Sequence, residues 1–152
     1  MKKKTVYKIL LALWMILIFI FSAQIADDSS AVSNKVGLLF NTLFNLGLTQ
    51  SSPLWGTVSF IVRKAAHISE YAVLAALWRM YAEEAEWKNN WIAPFLLTVF
   101  YACTDEFHQT FVKGRSGELR DVCVDSAGAL VGLILIHIIL TVFKKVKKRK
   151  RK

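Results

Sequence analysis

An all-α integral membrane fold, with four transmembrane helices in a small antiparallel bundle, is the class this chain predicts, and three observations carry it. Hydrophobic residues fill 55% of the 152 positions, more than an ordinary globular domain holds. Several apolar runs approach the roughly 20 residues that a spanning helix needs. Positive charge is gathered at the two ends, each abutting an apolar run. The formal charge of +9 would by itself suggest a nucleic-acid partner. Yet Lys2, Lys3, Lys4, Lys8 and the tail KKVKKRKRK (144–152) hold twelve of the 20 Lys and Arg. Eight remain against 11 Asp and Glu, so the body is near −3. A nucleic-acid surface spreads its cations over a folded face. Cations piled beside apolar runs instead mark cytoplasmic ends of membrane helices. The expected partner is the lipid bilayer, with no nucleic acid, and the expected location is the cytoplasmic membrane with both termini inside.

The elements follow in order. Residues 6–23 form the first span, with no polar side chain from Ile9 to Phe21. A cleaved signal peptide is the competing reading of MKKK and this run, but the chain returns to the membrane and FSAQIA is a poor cleavage context. In 32–44, Val32, Val36, Leu39, Phe40, Leu43 and Phe44 recur at helical spacing with Asn and Lys opposite. That pattern predicts an interfacial helix on the outer surface, serving packing rather than docking. Spans two and three are 65–82 and 91–107, each carrying ionisable residues at one end. The fourth, 122–143, contains Asp125 and His137. A single domain, 1–152, accommodates all of this.

Threading these spans brings the N-terminal end of span two, the C-terminal end of span three and the N-terminal end of span four to the outer side. Arg63, His67 and Glu70 share one helical face, with Lys64 and Tyr71 beside it. Asp105, His108 and Gln109 share another, with Glu106 adjacent. Asp121 and Asp125 are one turn apart, and Gly128 and Gly132 extend their stripe. The loop FVKGRSGELR adds Lys113, Arg115, Glu118 and Arg120. Snorkelling into water is the bland account of such charges. Ionisable residues at membrane depth are costly, however, and usually line a functional cavity. Outer segments also keep six cations where the topology rule disfavours them, which suggests an anionic ligand there.

Elsewhere the expectations are plain. His137, alone in LILIHIIL, reads as a packing residue, and Gly128-x-x-x-Gly132 as a close helix contact. Cys103 and Cys123 read as buried small hydrophobes, with a disulfide in an oxidising exterior as the alternative, and they lack zinc-site spacing.

FSAQ (21–24), RKAAHISEY (63–71) and DEFHQTFVKGRSGELRDVCVDSAGALVG (105–132), in that order, resemble the VanZ-like family. These are small bacterial membrane proteins named for a member associated with resistance to the glycopeptide teicoplanin. The chain has Lys113 where the family commonly has proline before Gly-Arg, which bears on the stiffness of that turn. The resemblance implies a cell-envelope role and supplies no catalytic residues.

Three mechanisms fit the cluster. In a binding protein, Arg63, Lys64, Arg115 and Arg120 would grip an anion, since Arg presents a bidentate fork, while Glu70, Asp105 and Asp121 orient those cations. A lipid phosphate, a cell-wall precursor or a glycopeptide would be the ligand, contacting also His67, Glu106, His108, Gln109 and Asp125. In an enzyme, His67 or His108 would act as a base held by Glu70 or Asp105, with Glu106 adjacent and an Arg opposite a developing oxyanion. Ser116, Thr104 and Thr110 are near, but none sits in a nucleophile motif. In a metal site, His67-x-x-Glu70 and Asp105-x-x-His108 would supply ligand pairs at i, i+3. Binding is the reading carried forward, with no cofactor and no metal expected; the oligomeric state is open.

Overall fold

The computed structural model describes residues 2–45 and 47–149. Met1 and the last three residues of the basic tail 144–152 lie outside them. Five α-helices make up the described fold: α1 (Lys3–Ser22), α2 (Ala26–Leu43), α3 (Pro53–Glu84), α4 (Ile92–Gln109) and α5 (Leu119–Arg149). No strand occurs among the described residues.

Two of the five, α1 and α5, are long and apolar enough to cross a membrane. Only 17% of the apolar stretch of α1 and 28% of that of α5 is buried. Leu13, Ile16 and Ile20 on α1, and Leu130, Ile134, Leu135, Ile138 and Val142 on α5, face outward. A soluble core would hide such a surface, and a lipid solvent does not require it. The polar residues singled out in the sequence fall mainly on α3 and α4, which do not reach the same apolarity.

Helix boundaries differ from the expected ones for legible reasons. The second predicted span opened at residue 65, but α3 begins at Pro53. Ser52 accepts a hydrogen bond from the Leu54 N–H (3.3 Å), and proline occupies the first turn, where its missing N–H costs nothing. His67 and Glu70 therefore sit in the middle of a 32-residue helix. The predicted interfacial helix at 32–44 is longer too, starting at Ala26 with Asp27 and Asp28 in its first turn, where carboxylates suit the helix dipole.

The bundle is organised around a parallel pair. Lys64 meets Asp121, His67 meets Asp125, and Lys144 meets Glu83, so α3 and α5 run in the same direction along their shared length. Glycine makes the approach possible. A Cβ on Gly128 would come 2.5 Å from the Ile68 carbonyl oxygen, and one on Gly132 would collide with the Ala72 carbonyl. Backbone therefore packs on backbone, as small-xxx-small stripes permit. The other two long helices, α1 and α4, run antiparallel to this pair. The Tyr101 hydroxyl donates to the Met15 carbonyl (2.6 Å), and Trp14 Nε1 donates to the Glu70 carbonyl (2.9 Å). Leu11, Ile18, Tyr71, Leu74 and Ala102 form the core where α1, α3 and α4 meet.

Two smaller expectations need correction. Cys103 and Cys123 are free and exposed rather than buried, because each lies on the outward side of its helix. His137 packs against Trp91, with ring centroids 5.0 Å apart and the planes tilted by 55°, and so bridges α5 to the residue preceding α4.

Candidate functional site

At the end of the bundle where α1 and α4 finish and α5 begins, polar residues of three helices converge. Position 125 of α5 faces position 67 of α3 because Gly128 and Gly132 hold the two backbones together just beyond. Asp125 is 1% exposed, and neither of its carboxylate oxygens has a hydrogen-bond partner. His67 Nδ1 lies 3.5 Å from Asp125 Oδ1, close enough for charge attraction but not a formed hydrogen bond.

From α4, Asp105, Glu106 and Gln109 turn inward, each 4% exposed. The Gln109 amide donates to Asp105 Oδ2 and to Glu106 Oε1, both at 3.2 Å. Its carbonyl oxygen accepts from Arg115 Nη1 at 3.1 Å. Gln109 is thus the hinge between the carboxylates and the loop cation. The Glu118 N–H closes on Glu106 Oε2 at 3.0 Å. That closure requires Gly117, whose Cβ would collide with the Glu106 carbonyl. Gly114, at φ 78°, makes the left-handed turn that returns Arg115 toward α4. Burial and the neighbouring Arg63 pull the Arg115 guanidinium below its ordinary value, against Asp105, Glu106 and Glu70; a guanidinium still remains charged.

Two cavities meet at this cluster. The larger, about 600 Å³, runs between the C-terminal end of α1, α2 and α3. Phe21, Val32, Val36, Phe40, Val58 and Ile61 give it apolar walls, while Arg63, His67, Glu70, Asp105 and Arg115 form its polar end. The helix α2, expected only to pack, therefore forms one wall. The smaller cavity, about 200 Å³, is polar and is lined by Lys64, Gln109, Ser116, Glu118, Arg120 and Asp121 among others. Arg63, His67 and Arg115 line both.

Most of the residues picked out in the sequence are brought together; His108 and the exposed Lys113 are not. His108 lines neither cavity and packs against Phe19 of α1, with centroids 4.5 Å apart and the rings tilted by 50°. Its i, i+3 spacing from Asp105 placed it on the same face, but Asp105 pairs instead with Gln109 at i+4. The expected acid–base pairs also change, since His67 faces Asp125 rather than Glu70. The hydroxyls of Thr104 and Thr110 donate to carbonyls of their own helix, those of Tyr101 and Phe107, both at 2.7 Å. Ser116 is bonded to Glu118 (3.1 Å). None of these hydroxyls is poised against a histidine.

Charge bookkeeping divides the site. Lys64 is paired with Asp121. The Arg63 guanidinium donates to the Ser30 hydroxyl (3.0 Å) and leaves its Nε unpartnered, and Arg115 donates to an amide. Neither Arg forms an ion pair among the described residues. Opposite them, Asp105 Oδ1 and both Asp125 oxygens are unpartnered. Cations on the cavity side and carboxylates on the bundle side are thus each left with unused capacity.

Sequence features that escaped notice lie at the opposite end, where Arg79, 5% exposed, donates to Glu83 at 2.6 Å. The i, i+4 spacing of those two was a usable signal; the third partner, Lys144, is 61 residues away and was not.

No curated protein and no solved structure matches the chain. Residues 7–140 match the family model described as VanZ/LLP1, a stretch that includes α2, α3, α4, the loop with Arg115, and the glycine stripe of α5. That is most of the molecule and all of the cluster: the chain belongs to the VanZ/LLP1 family.

Proposed function

We propose that this protein is a multi-pass protein of the bacterial cytoplasmic membrane that binds an anionic, lipid-tailed envelope ligand at the outer face. One observation carries the reading: an apolar cavity of about 600 Å³ ends on Arg63, His67 and Arg115. Pockets that combine apolar walls with a few convergent polar groups are the usual form of ligand sites. Here the apolar part suits an acyl or prenyl chain. The two guanidiniums, unpaired with carboxylates, suit a phosphate or carboxylate head group.

The topology in this proposal has four spans, 6–23, 65–82, 91–107 and 122–143, with basic termini inside. Support for including α3 and α4 is their packing: α3 lies along the apolar helix α5, and α4 packs against both α5 and α3. A lipid-linked wall precursor or a glycopeptide with a lipid tail fits this cavity chemistry. Through such a ligand the protein would contribute to glycopeptide (teicoplanin) resistance, the role attached to the family's name.

Native mass spectrometry of the full-length protein, taken from nanodiscs containing phosphatidylglycerol and phosphatidylcholine, tests the binding step. Wild type is expected to retain the anionic lipid selectively, and Arg115→Lys to lose most of that selectivity because the planar fork is gone. Arg149→Ala in the tail is the control and should retain it. Equal retention of both lipids by wild type, or unchanged selectivity in Arg115→Lys, would overturn the proposal.

A further inference from the structure

The bundle side of the site has its own unmet requirement. Asp125, Glu106 and Asp105 are each nearly inaccessible, and among the described residues His67 is the one basic group whose nitrogen comes within 4 Å of any of these carboxylates. Lys64 is committed to Asp121, while Arg115 reaches only the Gln109 amide. Buried charges are normally paired or coordinate a metal. One ring nitrogen of His67 and carboxylate oxygens of Glu106 and Asp125 lie within 4.8 Å of one another.

The geometry points to a site for a divalent first-row cation, of the zinc or manganese class, held by His67, Glu106 and Asp125. Such ligand atoms lie about 2.0–2.2 Å from zinc, hence roughly 3–4 Å from each other, and small side-chain rotations close the present spacing. Asp125 is the independent observation: a carboxylate at 1% exposure with both oxygens unpartnered has the free lone pairs that a ligand needs. Glu106 is already positioned from behind by the Gln109 amide and the Glu118 N–H, the kind of outer hydrogen bonding that fixes a metal-binding carboxylate. One imidazole with two carboxylates suits zinc or manganese, and three protein ligands leave a position open.

His67 also lines both cavities, so the open position would face the place where Arg63 and Arg115 point. A cation there would add to their pull on an anion. That consequence rests on the proposed lipid-binding role; the metal site itself does not.

The test therefore omits phospholipid. Full-length protein in a non-ionic maltoside detergent is stripped with chelator, then titrated with Zn2+, Mn2+, Mg2+ or Ca2+ while thermal unfolding and bound metal are measured. One equivalent of Zn2+ or Mn2+ per chain is expected, with a rise in unfolding midpoint of about 5 °C at saturation. Asp125→Asn and Glu106→Gln should abolish both, and His108→Gln, altering the neighbouring histidine outside the cluster, should keep both. Overturning results are no metal retained by wild type, a response to Mg2+ or Ca2+ alone, or a zinc response that survives Asp125→Asn and Glu106→Gln. Neutralisation of the carboxylates by protons, the competing account, predicts the first of these. A positive metal result with no anionic-lipid retention would leave this site standing and remove the lipid reading.

Discussion

Where α3 and α5 end together, Arg79 donates to Glu83, Lys144 joins from α5, and Trp78, Tyr81 and Trp87 pack into an aromatic cluster with centroids 5.5 to 6.3 Å apart. Where α5 begins, the same pair of helices holds His67 and Asp125 at 3.5 Å without a hydrogen bond. One end matches the buried Arg79 with Glu83 and leaves the other cation, Lys144, mostly in solvent. The other buries carboxylates more deeply and matches them less completely. An arrangement of the second kind costs stability unless something else meets it. Structural clasps and functional sites differ in that respect, and the contrast, rather than the number of charges, singles out the second end.

The substitution with the largest expected effect would break what both ends share. Gly132 is pressed against the Ala72 carbonyl, so Gly132→Leu must push α5 away from α3. Overpacking of this kind typically costs about 1–3 kcal/mol, and with backbone on the other side the upper figure or more is expected. Thermal unfolding in detergent should show it, along with loss of any zinc response, since His67 and Asp125 separate. An unchanged midpoint would mean that the α3–α5 contact does not organise the bundle.

Next in size is the clasp. Glu83→Gln leaves Arg79 buried without its partner, which should cost about 1–2 kcal/mol; charged hydrogen bonds reach about 3, and the partial exposure of Glu83 lowers that. This clasp also predicts a pH dependence. Hydrogen bonds from Lys144 and Arg79 hold the Glu83 carboxyl below its ordinary 4.5. A carboxylate depressed in the folded state stabilises fully above its unfolded value and loses that contribution as pH falls through its folded value. The gap in midpoint between wild type and Glu83→Gln should therefore be full at neutral pH and shrink below about pH 4.5. A gap that widens on acidification would refute the assignment.

Asp125→Asn sharpens the comparison through its sign. Replacing an unmatched buried carboxylate with an uncharged group of the same shape should stabilise the metal-free protein, by about 1 kcal/mol. Ligand selectivity or metal response should meanwhile be lost. Destabilisation of the metal-free form would place Asp125 with the structural clasps.

How much of this was legible in the chain depends on the range of the interaction concerned. Arg63, His67 and Glu70 could be placed on one face from their spacing alone, and the glycines at 128 and 132 announced a close contact. The family resemblance, now shown over residues 7–140, rested on motifs along the chain. Periodicity was too coarse for His108: positions i+3 and i+4 from Asp105 differ by about 100° around the helix, enough to send one toward Phe19 and keep the other inside. The start of α3 differs from the expected one although Ser52-Pro53 is a good opening signal, because the expected boundary followed the apolar pattern from residue 65 and not the cap. The Lys144 clasp and the cavity wall supplied by α2 depend on contacts between distant segments, which no local pattern encodes.

The smallest expected effect tests whether the clasp is as localised as this comparison requires. Lys144 is 68% exposed at its side chain and lies at the start of the basic tail, so its pairing with Glu83 is largely screened by water. Exposed ion pairs of this kind contribute roughly 0.2–1 kcal/mol. Lys144→Ala leaves the Arg79–Glu83 hydrogen bond, the better-buried half, in place. A fall of no more than about 0.5 kcal/mol is expected, with anionic-lipid selectivity and zinc response both unchanged, because nothing at that end reaches the cavities. Combining Lys144→Ala with Glu83→Gln should add little beyond Glu83→Gln alone, since both remove contacts to the same carboxylate. If Lys144→Ala instead alters lipid selectivity or metal uptake, the two ends are energetically coupled along α5, and the separation of clasp from site does not hold.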